Sequence, residues 1–260
     1  MSCKRFVISI ASACLATTVF AEDFTFFTPD WTKVITLSMG PTWASPGETQ
    51  TYYTPPGISP NYQYTQYLAR ETTETVTSGE VFFALQRPLT PWVTQRLGIA
   101  FAATTEADLH GTLALNLIPV ASYRYKISHA HVALKGLFFA CPDLWIQPYI
   151  SGSFGYSFNA SDSFKTNPPL NFYNYNNGNN GALTLLKFPA STKGSFAYTI
   201  GLGFQVKLAK NWEFGMGYEL ADWGRSQLKK SYFGEVFPPP KIGSVYAHQL
   251  QFSLSYLYCL

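Results

Sequence analysis

Six charged side chains, Glu80, Arg96, Lys135, Lys207, Glu213 and Glu219, stand inside runs that alternate between large apolar residues and small or polar ones. Each has the parity of the small residues, so all six point away from the apolar face. Enclosed together, they would pair as a network of buried carboxylates and cations. A second group has the types for covalent chemistry: Ser128 beside His129, with His131 next but one, offers a hydroxyl and an imidazole for nucleophilic catalysis. No acidic third partner can be named for that pair, and histidine is also an ordinary polar residue at a membrane interface. Neither a phosphate-binding glycine loop nor a metal-ligand spacing occurs. No cofactor, no metal and no enzymatic activity are therefore expected.

The elements that must position these groups are strands. Between Gly194 and Trp223, the residues Phe196, Tyr198, Ile200, Leu202, Phe204, Val206 and Leu208 share one parity, and Ala197, Thr199, Gly201, Gly203, Gln205 and Lys207 share the other. After Ala209-Lys210-Asn211 the pattern resumes, with Trp212, Phe214, Met216, Tyr218 and Leu220 against Glu213, Gly215, Gly217, Glu219 and Ala221. A period of two on both sides of a short turn is a β-hairpin. Each strand has about ten residues, the length that crosses a bilayer when tilted, which makes the apolar face the lipid face.

The same pattern recurs along the chain and predicts strands over 34–43, 76–86, 93–105, 122–139, 144–158, 196–208, 212–220 and 246–260. The expected fold is all-β, an eight-stranded antiparallel up-and-down transmembrane β-barrel. Connections one, three, five and seven are long and two, four and six are short, which corresponds to long extracellular loops and short periplasmic turns. In the fourth strand Tyr123, Tyr125 and Ile127 are apolar on odd numbers whereas Val132, Leu134 and Phe138 are apolar on even ones. A β-bulge near His129 to His131 would absorb that change. Trp92, Phe139, Trp212 and Tyr258 at one end, and Trp43, Tyr156, Phe158, Phe196, Tyr198 and Tyr246 at the other, read as two aromatic girdles.

Composition agrees with one β domain. Of 260 residues, 13% are charged and 17% aromatic, and a mean hydropathy of −0.01 excludes a bundle of apolar membrane helices. The net charge of +3, with no basic cluster larger than Lys229-Lys230, gives no case for nucleic acid. Residues 1–21, with Lys4-Arg5, an apolar stretch, and Val19 and Ala21 at the small-residue site, read as a secretory signal peptide cleaved before Glu22. Residues 22–33 then form a periplasmic lead-in and 34–260 the barrel. Removal of the leader leaves Cys141 and Cys259, whose pairing stays open.

The closing segment Ser253-Leu254-Ser255-Tyr256-Leu257-Tyr258-Cys259-Leu260 is similar to the C-terminal signal read by the barrel-assembly machinery. It departs from that pattern in ending on Leu260 rather than Phe, and in Ser255 where Gly is common. The stretches from Tyr125 to Gly136 and from Gly217 to Gly224 look like those of porin-family surface proteins. Through these segments the chain after the leader resembles the small eight-stranded outer-membrane proteins, the class of the outer membrane protein A transmembrane domain, outer membrane protein X and the opacity-type surface antigens. The resemblance implies a place in the bacterial outer membrane, among its lipids and lipopolysaccharide. The assembly signal would be carried by Ser253, Ser255, Tyr258 and Leu260.

On this reading the role is structural, or one of surface interaction through the loops, serving adhesion or envelope integrity, with host or surface ligands as partners. The first alternative is a narrow channel for small or apolar solutes, since Gly201, Gly203, Gly215, Gly217 and Ser151, Ser153, Ser157 leave space inside. The second is a lipid A-modifying enzyme that uses Ser128 and His129.

Overall fold

Alternation becomes geometry in the wall of the molecule. In the computed structural model, Leu37, Met39, Phe83, Ile99, Leu134, Phe154, Ile200 and Leu202 are exposed on the outside, while their neighbours Thr36, Ser38, Phe82, Ala100, Lys135, Ser153 and Thr199 are buried inside. The structure describes residues 31–45, 49–53, 64–70, 73–174, 182–231 and 237–258. The expected leader, its cleavage site, most of the lead-in, Cys259 and Leu260 lie outside them.

Fifteen strands are formed among the described residues: β1 (Thr32–Ala44), β2 (Gln50–Tyr53), β3 (Tyr64–Ala69), β4 (Glu74–Thr90), β5 (Val93–Thr104), β6 (Ala107–Leu115), β7 (Ile118–Ala140), β8 (Ile146–Asn167), β9 (Asn171–Asn174), β10 (Ala182–Leu185), β11 (Ser191–Lys207), β12 (Trp212–Asp222), β13 (Ser226–Gln227), β14 (Lys241–Ile242) and β15 (Tyr246–Tyr258). Eight of them close a ring of antiparallel pairs in the order β1, β4, β5, β7, β8, β11, β12, β15 and back to β1. Closure leaves the wall without an edge. Its outer surface is an apolar belt and its inner surface is mostly polar, so the barrel is one that crosses a membrane with strands.

The barrel does not stop at the belt. β7 and β8 run on past it, and β6, β3 and β2 join β7 to make a four-stranded sheet standing on the long-connection end. The β6–β7 hairpin turns at Asn116 and Leu117, both in the left-handed region with φ of 49° and 69°. Inside this extension the polarity of the wall reverses. Tyr67, Leu113, Tyr123, Tyr125, Phe164, Phe188, Trp223, Phe237, Ile242 and Val245 are all buried in one apolar cluster that covers the mouth. A second, smaller cluster, containing Val34, Phe82, Ala84, Leu137 and Phe139, sits within the barrel.

Two expectations are corrected by this arrangement. β7 carries no bulge at His129 to His131: residues 121 to 139 keep odd numbers inward throughout, and the register shifts opposite Arg124 and Lys126 instead. The apolar character of Tyr123, Tyr125 and Ile127 comes from the cap they point into, not from a change of facing. Phe139 likewise leaves the proposed girdle, because it is buried inside beneath the Arg96 guanidinium. Cys141 is disulfide-bonded, with its partner outside the described residues.

Candidate functional site

The lumen is where the charged residues singled out above meet. Lys135 on β7 reaches Glu80 on β4 and Glu219 on β12, each at 2.8 Å from Nζ to Oε1. Ser151 Oγ donates to the same Glu219 oxygen at 3.2 Å. Closer to the short turns, Arg96 on β5 forms an ion pair with Glu213 on β12 at 2.8 Å and is only 1% exposed. Its Nε and Nη2 donate to Gln86 Oε1 at 2.9 and 2.6 Å, and its Nη1 donates to Gln205 Oε1 and Ser255 Oγ, both at 3.3 Å. Gln205 Nε2 in turn donates to Glu213. Five of the six charged residues are thus assembled into two satisfied clusters. The sixth, Lys207, is exposed at the turn rim and donates to the Pro142 carbonyl oxygen at 3.1 Å.

The glycines do not leave an aqueous path. A Cβ at Gly203 would come within 2.6 Å of the Tyr149 ring, and one at Gly217 within 2.3 Å of its hydroxyl, so these positions lack side chains because Tyr149 of β8 fills the space. A Cβ at Gly201 would approach Glu219 Cγ to 2.5 Å. The void between the two ionic clusters is about 20 Å³, room for one water. Tyr149, Gln86 and Gln205 complete this interior beyond the six charged residues, and their inward parity is the sequence signal that marks them.

Above the clusters, His129 and His131 close the polar interior against the cap. Asn159 Nδ2 donates to the carbonyl oxygens of Trp223 and Arg225 at 2.8 and 2.9 Å, which leaves its Oδ1 as acceptor for His129 Nδ1 at 2.7 Å. A neutral His129 then accepts at Nε2 from His131 Nδ1 at 2.8 Å. Both ring nitrogens of His129 are committed, and its face stacks on the Trp223 indole with centroids 4.3 Å apart. Ser128, one residue away on a strand, projects from the opposite side of the wall. The structure therefore does not bring Ser128 and His129 together. Among the described residues no cluster of His, Cys, Asp or Glu could hold a metal ion. Of the segment read as an assembly signal, Ser253, Ser255 and Tyr258 lie in β15, where Ser255 is buried and bonded to Thr36 at 2.8 Å across the closing pair.

Tyrosines dominate the cap, and burial raises their phenols. Tyr52 and Tyr123 are pushed up from 10.0 to about 12, and desolvation drives Tyr67 and Tyr125 further in the same direction. Tyr67 and Tyr52 both use the proton, donating to Pro238 O at 2.9 Å and Gln50 Oε1 at 2.7 Å. Because the folded values lie above the unfolded one, this contribution to stability is complete below the unfolded value of 10.0 and is lost as pH rises through the folded values. The cap is expected to loosen above about pH 10. Tyrosinate absorbance should then rise in step with protease cleavage of the long connections. Titration of every tyrosine near the free-phenol value with the cap still protected would contradict this.

Neither a protein-family model nor a curated protein sequence matches this chain. Among solved structures it is similar to neisserial surface protein A, at 8% identity over 87% of this chain and 97% of that one, with a TM-score of 0.43. It is similar to outer membrane protein OprG from Pseudomonas aeruginosa at 11% identity, over 87% and 96%, with a TM-score of 0.41. Likewise it is similar to outer membrane protease OmpT from Escherichia coli at 8% identity, over 94% and 100%, with a TM-score of 0.45. No residue role carries over from likeness at this level, and the barrel is read from this chain's own closed ring of strand pairs.

Proposed function

We propose that this chain is a bacterial outer-membrane barrel, exported by residues 1–21 and inserted through the signal at its C-terminus, whose role is structural or one of surface interaction. The observation that carries this reading is the double closure of the lumen. Two ionic clusters and Tyr149 fill its interior, and the apolar cap covers one mouth. A wall blocked in this way has no use as a conduit, and what it presents to its surroundings is the folded sheet of β2, β3, β6 and β7 on the extracellular side. The order of that extension, with its own buried core, suits a surface that contacts other molecules. Refolded protein in planar bilayers is expected to show no steady conductance. Stable unitary currents through the wild-type chain would replace this reading with that of a channel.

A further inference from the structure

The outer wall above the belt carries a row of basic residues that neither the lumen nor the cap uses. Ala69 of β3 lies opposite Gly111 of β6, so the next pair is Arg70 and His110, and the Arg70 N–H donates to the His110 carbonyl oxygen at 3.0 Å. His110 lies opposite Arg124 of β7, and Arg124 lies opposite Lys165 of β8. All four are exposed and point outward. Like charges directly opposite one another on neighbouring strands destabilise a sheet. Here Arg124 and Lys165 stand directly opposite each other, and His110 lies between Arg124 and Arg70 in a row of four strands about 14 Å long.

The charges just below behave differently. There Lys126 pairs with Glu106 at 2.5 Å, with Asp108 and Asp162 close by. That level is neutralised within the protein, whereas among the described residues none of the four upper basic groups has an ion-pair partner. The upper row lines a single open groove of about 1030 Å³, whose wall also includes the polar side chains of Thr112, Ser122 and Asn167. Cations backed by short hydroxyl and amide groups recognise phosphate or sulfate on a sugar.

Height and direction identify the source. Lys165 is seven residues beyond Phe158, the last lipid-facing aromatic on β8. At strand rise and barrel tilt this places the row roughly 15–20 Å above the hydrocarbon. The interfacial layer of an ordinary phospholipid bilayer is only about 5–8 Å deep on each side. Because the side chains point sideways from the wall, on the same face as the lipid-facing residues below them, their ligand stands beside the barrel, taller than a phospholipid headgroup. We propose that Arg70, His110, Arg124 and Lys165 bind phosphate groups on the core oligosaccharide of lipopolysaccharide in the surrounding leaflet. This rests on the outer-membrane reading above.

The test uses the full chain refolded in neutral phosphocholine nanodiscs, with binding measured for lipopolysaccharide carrying a phosphorylated core, for the same material with the core phosphates removed, and for a soluble sulfated glycan. Arg124→Gln/Lys165→Gln is expected to weaken binding of the phosphorylated form about tenfold or more, and added salt to weaken it further. Lys126→Gln, at the neutralised level, is expected to bind like wild type. Removing the core phosphates should abolish the difference between wild type and the double variant. Equal affinity of the two for the phosphorylated form, with heat-modifiable mobility showing both folded, overturns the site. Tighter binding of the soluble glycan than of lipopolysaccharide overturns the assignment to the leaflet. Cell fractionation separates the two readings: a chain found in the outer membrane but indifferent to core phosphate loses this inference alone, and one found elsewhere loses the proposed function first.

Discussion

Lys135→Met is expected to cost the barrel about 3–5 kcal/mol, the range for removing one partner of a buried ionic cluster. Lys135 is the cation shared by Glu80 and Glu219, at 2.8 Å from each. Without it two carboxylates face each other in a space that holds about one water. Glu219→Ala should cost less, about 1–3 kcal/mol, because the Lys135–Glu80 pair survives it. The triple variant Glu80→Gln/Lys135→Met/Glu219→Gln removes the charges together and is expected to recover most of the loss, since replacing a whole buried cluster is often close to neutral. Urea titration of refolded protein, followed by tryptophan fluorescence and heat-modifiable mobility, gives the three values. If Lys135→Met were as stable as wild type, the carboxylates would have to be solvated and the lumen wet.

Trp223→Ala should act on the other core and leave this one alone. Trp223 is 3% exposed and stacked on His129, and truncating a buried tryptophan to alanine costs about 3–5 kcal/mol. The cap forms an apolar cluster distinct from the one inside the barrel, so the loss should be confined to it. Protease cleavage within residues 108–127 and 226–245 is expected to rise while the wall keeps its heat-resistant mobility. Trp223→Phe, which retains a ring against His129, should protect most of the cap. A variant in which wall and cap melt together would show that the two cores fold as one unit.

The wall was legible in the sequence because a membrane makes one face of each strand uniformly apolar, and the period of two in 194–223 needs no other information. The ion pairs followed from parity: Glu80, Arg96, Lys135, Glu213 and Glu219 all stood opposite the apolar residues. The cap was not legible for the same physical reason. Outside the bilayer the rule inverts, and Tyr123, Tyr125 and Ile127 are apolar because they point in. Reading them by the rule for lipid required a bulge that β7 does not have. Phe237, Ile242 and Val245, in a stretch broken by Pro238-Pro239-Pro240, show no periodicity at all, so only their packing reveals them as core. The row of basic residues was hidden as well, since Arg70, His110, Arg124 and Lys165 are scattered in sequence and meet only through the pairing of four strands.

The joint between β1 and β15 implies an order of events in time. The other seven joints of the ring link wall strands that follow one another along the chain, whereas this one brings Thr36 to Ser255, 219 positions apart. Such a closure carries the largest loop entropy and comes late. Ser255 is also a ligand of Arg96, so the guanidinium gains its full shell only when the last strand has docked. Bonds made after the rate-limiting step leave the speed of folding almost untouched and slow the reverse reaction. Where that docking follows the rate-limiting step, the arginine cluster acts as a latch, setting how long a closed barrel stays closed more than how fast it forms.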